Sequence, residues 1–217
     1  MATRRRWARA LLFLCVMAPE LEAGSLSGRV FVAEEKGPPR YYLGPYRGAP
    51  TPELRRQHSA GVVVYVHGSF PDANFVAAAD RAIVRQRHQR FLPHVLPILK
   101  GTTVAFPNLD NYYHNVFSVV AGDRFDLGRF GQGDTRLQVF ADPAVVVVRC
   151  EIHPGMKAFI LVRQNPAFTV PDASGHFQLR DVPAGTWSLV AWHPTRANLR
   201  RTVTVTDGKS ATLELSF

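Results

Sequence analysis

The segment "CEIHPGM", Cys150 to Met156, places a thiol, an imidazole and a thioether within seven residues, directly after the apolar run "AVVVVR". Packing alone does not call for that combination. Ligation of a soft metal does. A thiolate and two imidazoles in a trigonal plane, with a weak axial thioether, make up a type 1 (blue) copper centre. Cys150, His153 and Met156 supply three of those donors. The second imidazole must come from elsewhere, and "DNYYHNVFS" offers His114 at the start of an alternating run. Zinc suits the set less well, because thioethers are poor zinc ligands and structural zinc sites use more thiolates. Iron–sulfur clusters need more cysteines than this chain has. His88, His94 and His193 have no ligand spacing and are read as surface or interface histidines. "DGKS" at 207–210 lacks the earlier glycine of a phosphate-binding loop and reads as a hairpin turn. No Ser–His–Asp set and no paired carboxylates sit on an evident frame, so no enzymatic activity is expected.

The elements that must position these donors are short and β-like almost throughout. Candidate strands are 27–33, 61–68, 95–99, 102–108, 114–120, 136–141, 144–152 and 158–164, followed by 176–182, 186–193, 200–208 and 210–217. Val, Phe, Thr and Leu fill them, and Gly, Pro, Asp and Asn punctuate them. Many short strands with turns between them predict an all-β sandwich or barrel. One short helix is expected around Phe75–Ala82. Residues 37–60, rich in Pro, Gly and Arg, read as a long irregular loop. A tight loop closing 144–152 against 158–164 would turn Cys150, His153 and Met156 toward one centre. Breaks near 68–75 and 165–175 enclose about seven strands, enough for one sandwich. The four or five strands of the tail are too few for a core of their own at ~50 residues. They can be completed by the early strands 27–33 and 61–68, which favours a discontinuous domain with the metal module inserted into it; two tandem domains are the alternative.

The N-terminus reads as a secretory signal peptide over residues 1–23. It has a basic start (Arg4, Arg5, Arg6, Arg9), an apolar core from Ala10 to Ala18 and a small residue at Ala23. The core is about 9 residues, against ~20 needed to span a bilayer. The paired arginines leave the general secretory and twin-arginine routes both open. Export points to the periplasm, and membrane association is not expected after cleavage. Removing 1–23 takes away four arginines and two glutamates and lowers the net charge from +9 to about +7. The remaining arginines are scattered, without the clustering among aromatics that nucleic-acid binding needs. A basic surface is either simply solvated or steers the protein toward an acidic partner or an anionic membrane face. Cleavage also leaves Cys150 as the lone cysteine in an oxidising compartment, where ligation would protect it.

"FPNLDNYYHNVFS" followed about 36 residues later by "CEIHPGM" resembles the cupredoxins. The short C-x2-H-x2-M loop looks most like that of amicyanin, and "QRHQRFLPHVLPILKGTTVAFPN" looks like the opening strands of a plastocyanin-type domain. The resemblance covers about 76–163. It implies a Greek-key sandwich holding one type 1 copper ion through His114, Cys150, His153 and Met156. It also implies that Asn115 braces the cysteine loop by a hydrogen bond, and that His153 lies under an apolar patch as the electron port. Together with "SGRVFV" and "GHFQLRDVPAGTWSLVAWHP", the whole chain is similar to exported methylamine utilization proteins. In these a cupredoxin-like domain (here 76–163) accompanies a smaller transthyretin-like or carboxypeptidase-regulatory-like sandwich (here 24–75 and 164–217). The function so implied is single-electron transfer between redox partner proteins. The alternatives are a periplasmic copper carrier, or a non-redox β-sandwich binding module with a vestigial copper site.

Overall fold

A computed structural model describes residues 23–32, 61–71, 75, 77, 81–119 and 124–217. The fold is all-β, with no helix among the described residues. One pair of facing sheets surrounds the residues that carry the chemistry. The first of them runs β6 (Val95–Leu99), β12 (Lys157–Arg163), β11 (Val145–Arg149), β8 (His114–Ser118), β9 (Phe125–Phe130). The second runs β10 (Thr135–Phe140), β7 (Thr102–Pro107), β3 (Ala82–Ile83), with β4 (Arg85–Gln86) and β5 (Phe91–Leu92) as a small hairpin beside it. Strands β11 and β12 are antiparallel in the register Val145↔Leu161 to Arg149↔Lys157, whereas β12 and β6 run parallel. Between the sheets lies a buried cluster that includes Phe91, Phe106, Val116, Phe130, Phe140, Val148 and Ile160, with Cys150 and Met156 at its margin.

A second pair of sheets consists of β14 (His176–Val182), β1 (Gly24–Phe31), β17 (Ser210–Ser216) and of β13 (Phe168–Thr169), β2 (Val63–His67), β15 (Gly185–His193), β16 (Arg196–Val205). Leu26, Val64, Leu179, Leu189, Ala191 and Leu215 fill the space between them. In β1, Gly28 is demanded by packing: a Cβ there would overlap the Leu213 carbonyl of β17 and the Phe177 ring.

A third apolar layer explains why "VVVYV" and "AFILV" show no alternation. In β2, Val64 and Val66 face one core while Val63 and Tyr65 face another. In β12, Ala158, Ile160 and Val162 point toward the first core and Phe159 and Leu161 away from it. Val63, Tyr65, Val190 and Trp192 meet Val95, Phe159 and Leu161 back to back, with the Trp192 and Phe159 rings edge-on at 5.4 Å. A strand covered on both faces is apolar at every position.

Several elements differ from the sequence-based expectations. Strand β9, "FDLGRF", is one that composition did not reveal. Gly128 at φ 69° interrupts it, its N–H donating to Asp126 Oδ1 at 2.9 Å, and the register with β8 shifts between Asn115 and Phe117. The turn at Asp207–Gly208 does not close a hairpin. It carries the chain from β16 in one sheet to β17 in the other, where β17 pairs parallel to β1. Phe75 and Ala77 lie in no helix and Ala82 opens β3. The remainder of that expected helix, most of the leader and the loop 37–60 lie outside the described residues.

Candidate metal centre

His114 is the first residue of β8, and Cys150 follows the last residue of β11. Arg149 pairs antiparallel with Phe117, so the chain beyond β11 runs back along β8 toward His114. The β11–β12 connection then turns within seven residues. The Cys150 N–H donates to the Met156 carbonyl at 3.3 Å, and the Met156 N–H donates to the His153 carbonyl at 2.9 Å. This closure holds Cys150 and Met156 inward, 3% and 1% exposed, while His153 stays partly accessible. Asn115, buried beside His114, accepts the Glu151 N–H on Oδ1 at 2.6 Å and ties β8 to the loop.

Three donor atoms converge there. His114 Nδ1 lies 3.0 Å from His153 Nδ1, and Cys150 Sγ lies 3.9 and 3.7 Å from those two nitrogens. A triangle with those edges has a centre about 2.1 Å from every corner, the length of an imidazole bond to a first-row metal ion and ~0.2 Å short of a thiolate bond. The donor set therefore fits a metal ion with little movement. Met156 is wholly buried in the same loop. Among the described residues, His114, Cys150 and His153 are the one group of three such side chains gathered in this way. His94 instead has Nδ1 2.9 Å from the Lys157 carbonyl, and His193 contacts Thr195, so both belong to the packing of their strands. His88 sits at the β4–β5 turn.

The electrostatics of the cluster favour the ligating forms. Burial alone would raise the Cys150 thiol, but hydrogen bonding to His114 and to the N–H groups of Asn115, His153 and Ile152 outweighs it and holds the thiol below its usual value. Burial and the neighbouring His114 lower His153. For His114 burial works downward, yet Cys150 and Asp110 together raise it. The two ring nitrogens lie 3.0 Å apart, and a metal ion bound between them displaces any proton held there.

Two residues essential to this arrangement escaped the sequence reading. Asp110 is 7% exposed and lies 2.9 Å from His114 Nε2 through Oδ2. Burial would raise its carboxyl, but the N–H of Gln89, the His114 ring and the N–H of His88 overcome that and hold it low. Asn108, fully buried, shapes the loop that carries Asp110. Its Nδ2 donates to the Tyr112 and Phe130 carbonyls at 2.9 and 3.0 Å, and its Oδ1 accepts the Asp110 N–H at 3.0 Å. The signal for Asp110 was an acidic residue four positions before the first histidine in "NLDNYYH". The Tyr112 ring packs against both imidazoles, edge-on to His114 at 5.3 Å and tilted to His153 at 5.5 Å. Leu109, Tyr113 and Ile152, neighbours of these residues along the chain, are exposed.

No family model and no curated protein matches the sequence. Solved structures match part of it. One is a copper-containing nitrite reductase from Thermus scotoductus, at 29% identity over 44% of this chain and 26% of the other, with a TM-score of 0.38. Another is a purple cupredoxin from Nitrosopumilus maritimus, at 26% identity over 37% of this chain and 98% of the other, with a TM-score of 0.35. A third is a mutant amicyanin in the Cu(I) state, at 18% identity over 46% of this chain and 98% of the other, with a TM-score of 0.37. The chain thus spans about a quarter of the nitrite reductase, and nearly the whole of either small cupredoxin aligns with less than half of this chain.

Proposed function

We propose that His114, Cys150, His153 and Met156 hold one type 1 copper ion, and that the exported protein carries single electrons between redox partners rather than catalysing a reaction. The observation that carries this reading is the triangle of two imidazole nitrogens and one thiol sulfur, already at ligand spacing. Bound copper supplies a Cu(II)/Cu(I) couple there, one electron in and one out. The chain's own residues do the rest. The Asn115–Glu151 bond and the Cys150–Met156 closure fix the donors in advance, so little rearrangement accompanies a change of charge at their centre. Burial of Cys150, His114 and Met156 excludes water. His153, the one donor with access to solvent, offers the short route to a partner, and the exposed Leu109, Tyr113 and Ile152 suit a small transient contact. The basic net charge suits an acidic partner.

In this reading residues 76–163 form the cupredoxin-like module. Residues 24–75 and 164–217 form the smaller sandwich that braces it through the layer around Phe159 and Trp192, and residues 1–23 direct the chain to the periplasm. The test is the visible absorption spectrum of residues 24–217 on addition of Cu(II), with Cys150→Ser as control. An intense thiolate-to-copper band, absent from the variant, is expected. A folded chain without that band would end the electron-carrier reading, and tight binding of Cu(I) alone would replace it with a copper carrier.

A further inference from the structure

The donor triangle does not account for Asp110. A carboxylate is costly to bury unless it is paired, and this one is paired from two sides. Its Oδ2 accepts the His114 Nε2–H at 2.9 Å and the Gln89 N–H at 2.9 Å, while Oδ1 accepts the His88 N–H at 2.6 Å. Three donors on two oxygens leave the group no freedom to turn. The turn that supplies two of them is itself unusual. His88 and Gln89 both have positive φ, 54° and 55°, between Arg87 and Arg90, whose backbones bond to each other in both directions. Non-glycine residues adopt that conformation at a cost. Here it aims two successive N–H groups at one carboxylate. A strained hairpin tip and a buried charge are thus both committed to fixing one edge of one imidazole.

The consequence follows from imidazole chemistry. A carboxylate only accepts, so Nε2 must carry a proton. Nδ1 is the remaining ring nitrogen, and it stands at the corner of the donor triangle. A buried negative charge against the far side of the ring makes Nδ1 a stronger donor and favours the more highly charged ion. We propose that Asp110 is a positioning residue of the metal centre, holding His114 in the Nε2–H form and biasing bound copper toward Cu(II). The proposal rests on the copper reading above. Were Asp110 only a fastener for the β4–β5 turn, its loss would change stability and nothing at the metal.

The test compares Asp110→Asn and Asp110→Ala with the wild-type residues 24–217, using Cu(II), Cu(I) and redox-inert Co(II). Asparagine can still accept from His114 but removes the charge. It is expected to keep the thiolate-to-copper band while lowering the ratio of Cu(II) to Cu(I) affinity about tenfold, a rise of ~59 mV in potential. Alanine removes both charge and acceptor and is expected to weaken Co(II) binding by about 10–100-fold. Unchanged ratio and unchanged Co(II) affinity in folded variants would overturn the role of Asp110. If neither variant folds, the wild type decides. A proton–nitrogen correlation spectrum of its Cu(I) form must show a slowly exchanging proton on His114 Nε2, and a ring without it overturns the proposal. A wild type that binds no copper removes the centre itself. Copper binding that is indifferent to Asp110 removes only this inference.

Discussion

Asn108 and Asn165 make the same three kinds of bond in different places, and replacing each by alanine separates what holds the fold from what holds the metal. Asn108 Nδ2 donates to the Tyr112 and Phe130 carbonyls, and its Oδ1 accepts the Asp110 N–H. Asn165 Nδ2 donates to the Val66 and Gly68 carbonyls, and its Oδ1 accepts the Ala167 N–H. The two are 0% and 2% exposed. Each truncation therefore deletes three hydrogen bonds at about 0.5–1.5 kcal/mol apiece and leaves backbone groups wanting partners in a space too apolar to supply them. The Tyr112 and Gly68 carbonyls lie nearer the surface, where water replaces part of the loss. The expected cost is ~3–4 kcal/mol for either variant. Urea unfolding of metal-free residues 24–217 reads this as a lowered midpoint at unchanged slope. Co(II) affinity at low denaturant then separates the pair. Asn108→Ala releases the loop that presents Asp110 to His114 and is expected to bind at least tenfold more weakly, whereas Asn165→Ala binds as the wild type. Equal Co(II) affinities in the two variants, or a stability loss below about 1 kcal/mol in either, would refute the reasoning.

Leu161→Ala removes a wholly buried side chain from the layer between β12 and β2–β15 and is expected to cost ~2–5 kcal/mol in unfolding free energy, with the copper spectrum unaltered. Gly28→Ala forces a methyl group against the Leu213 carbonyl. A loss of ~1–3 kcal/mol or more is expected in the same denaturant assay, unless β1 and β17 separate. Hydrogen bonds from the Ser174 hydroxyl and from the N–H groups of His176 and Ser174 lower Asp172 from its usual 3.8. A carboxylate lowered on folding stabilises the fold above its ordinary value, and that contribution disappears as the pH falls through the lowered one. Carboxyl titration by nuclear magnetic resonance should place Asp172 below 3.8 in the wild type and move it back upward in Ser174→Ala.

Residue chemistry and short-range periodicity were enough to determine the all-β class, most strand positions and the identity of the clustered donors. The strand at 176–182 falls where alternation places it, with Phe177, Leu179 and Val182 in one core, and the strand at 95–99 falls where its apolar run places it, with Val95 in one core and Ile98 in another. Cys150, His153 and Met156 share a single turn of chain, so their association is local and written in consecutive letters. His114 was recoverable because a thiolate, one imidazole and a thioether call for a second imidazole, and His114 opens an alternating run.

What only the tertiary structure decided lies in contacts between distant segments. Asp110 becomes part of the centre through a turn more than twenty residues earlier, whose N–H groups are anonymous in sequence. Strand β9 forms despite Gly128 because pairing with β8 outweighs the weak propensity of "FDLGRF". The Asp207–Gly208 turn has hairpin chemistry, yet β17 pairs with β1 in the facing sheet, where Leu215 joins the buried core. The double-sided burial of β2, β12 and β15 appears in sequence only as long apolar runs, which cannot say what lies on either face. Local pattern fixes which way a residue points. Which partner waits there is set by the lowest free energy of the whole chain, and no single segment carries that information.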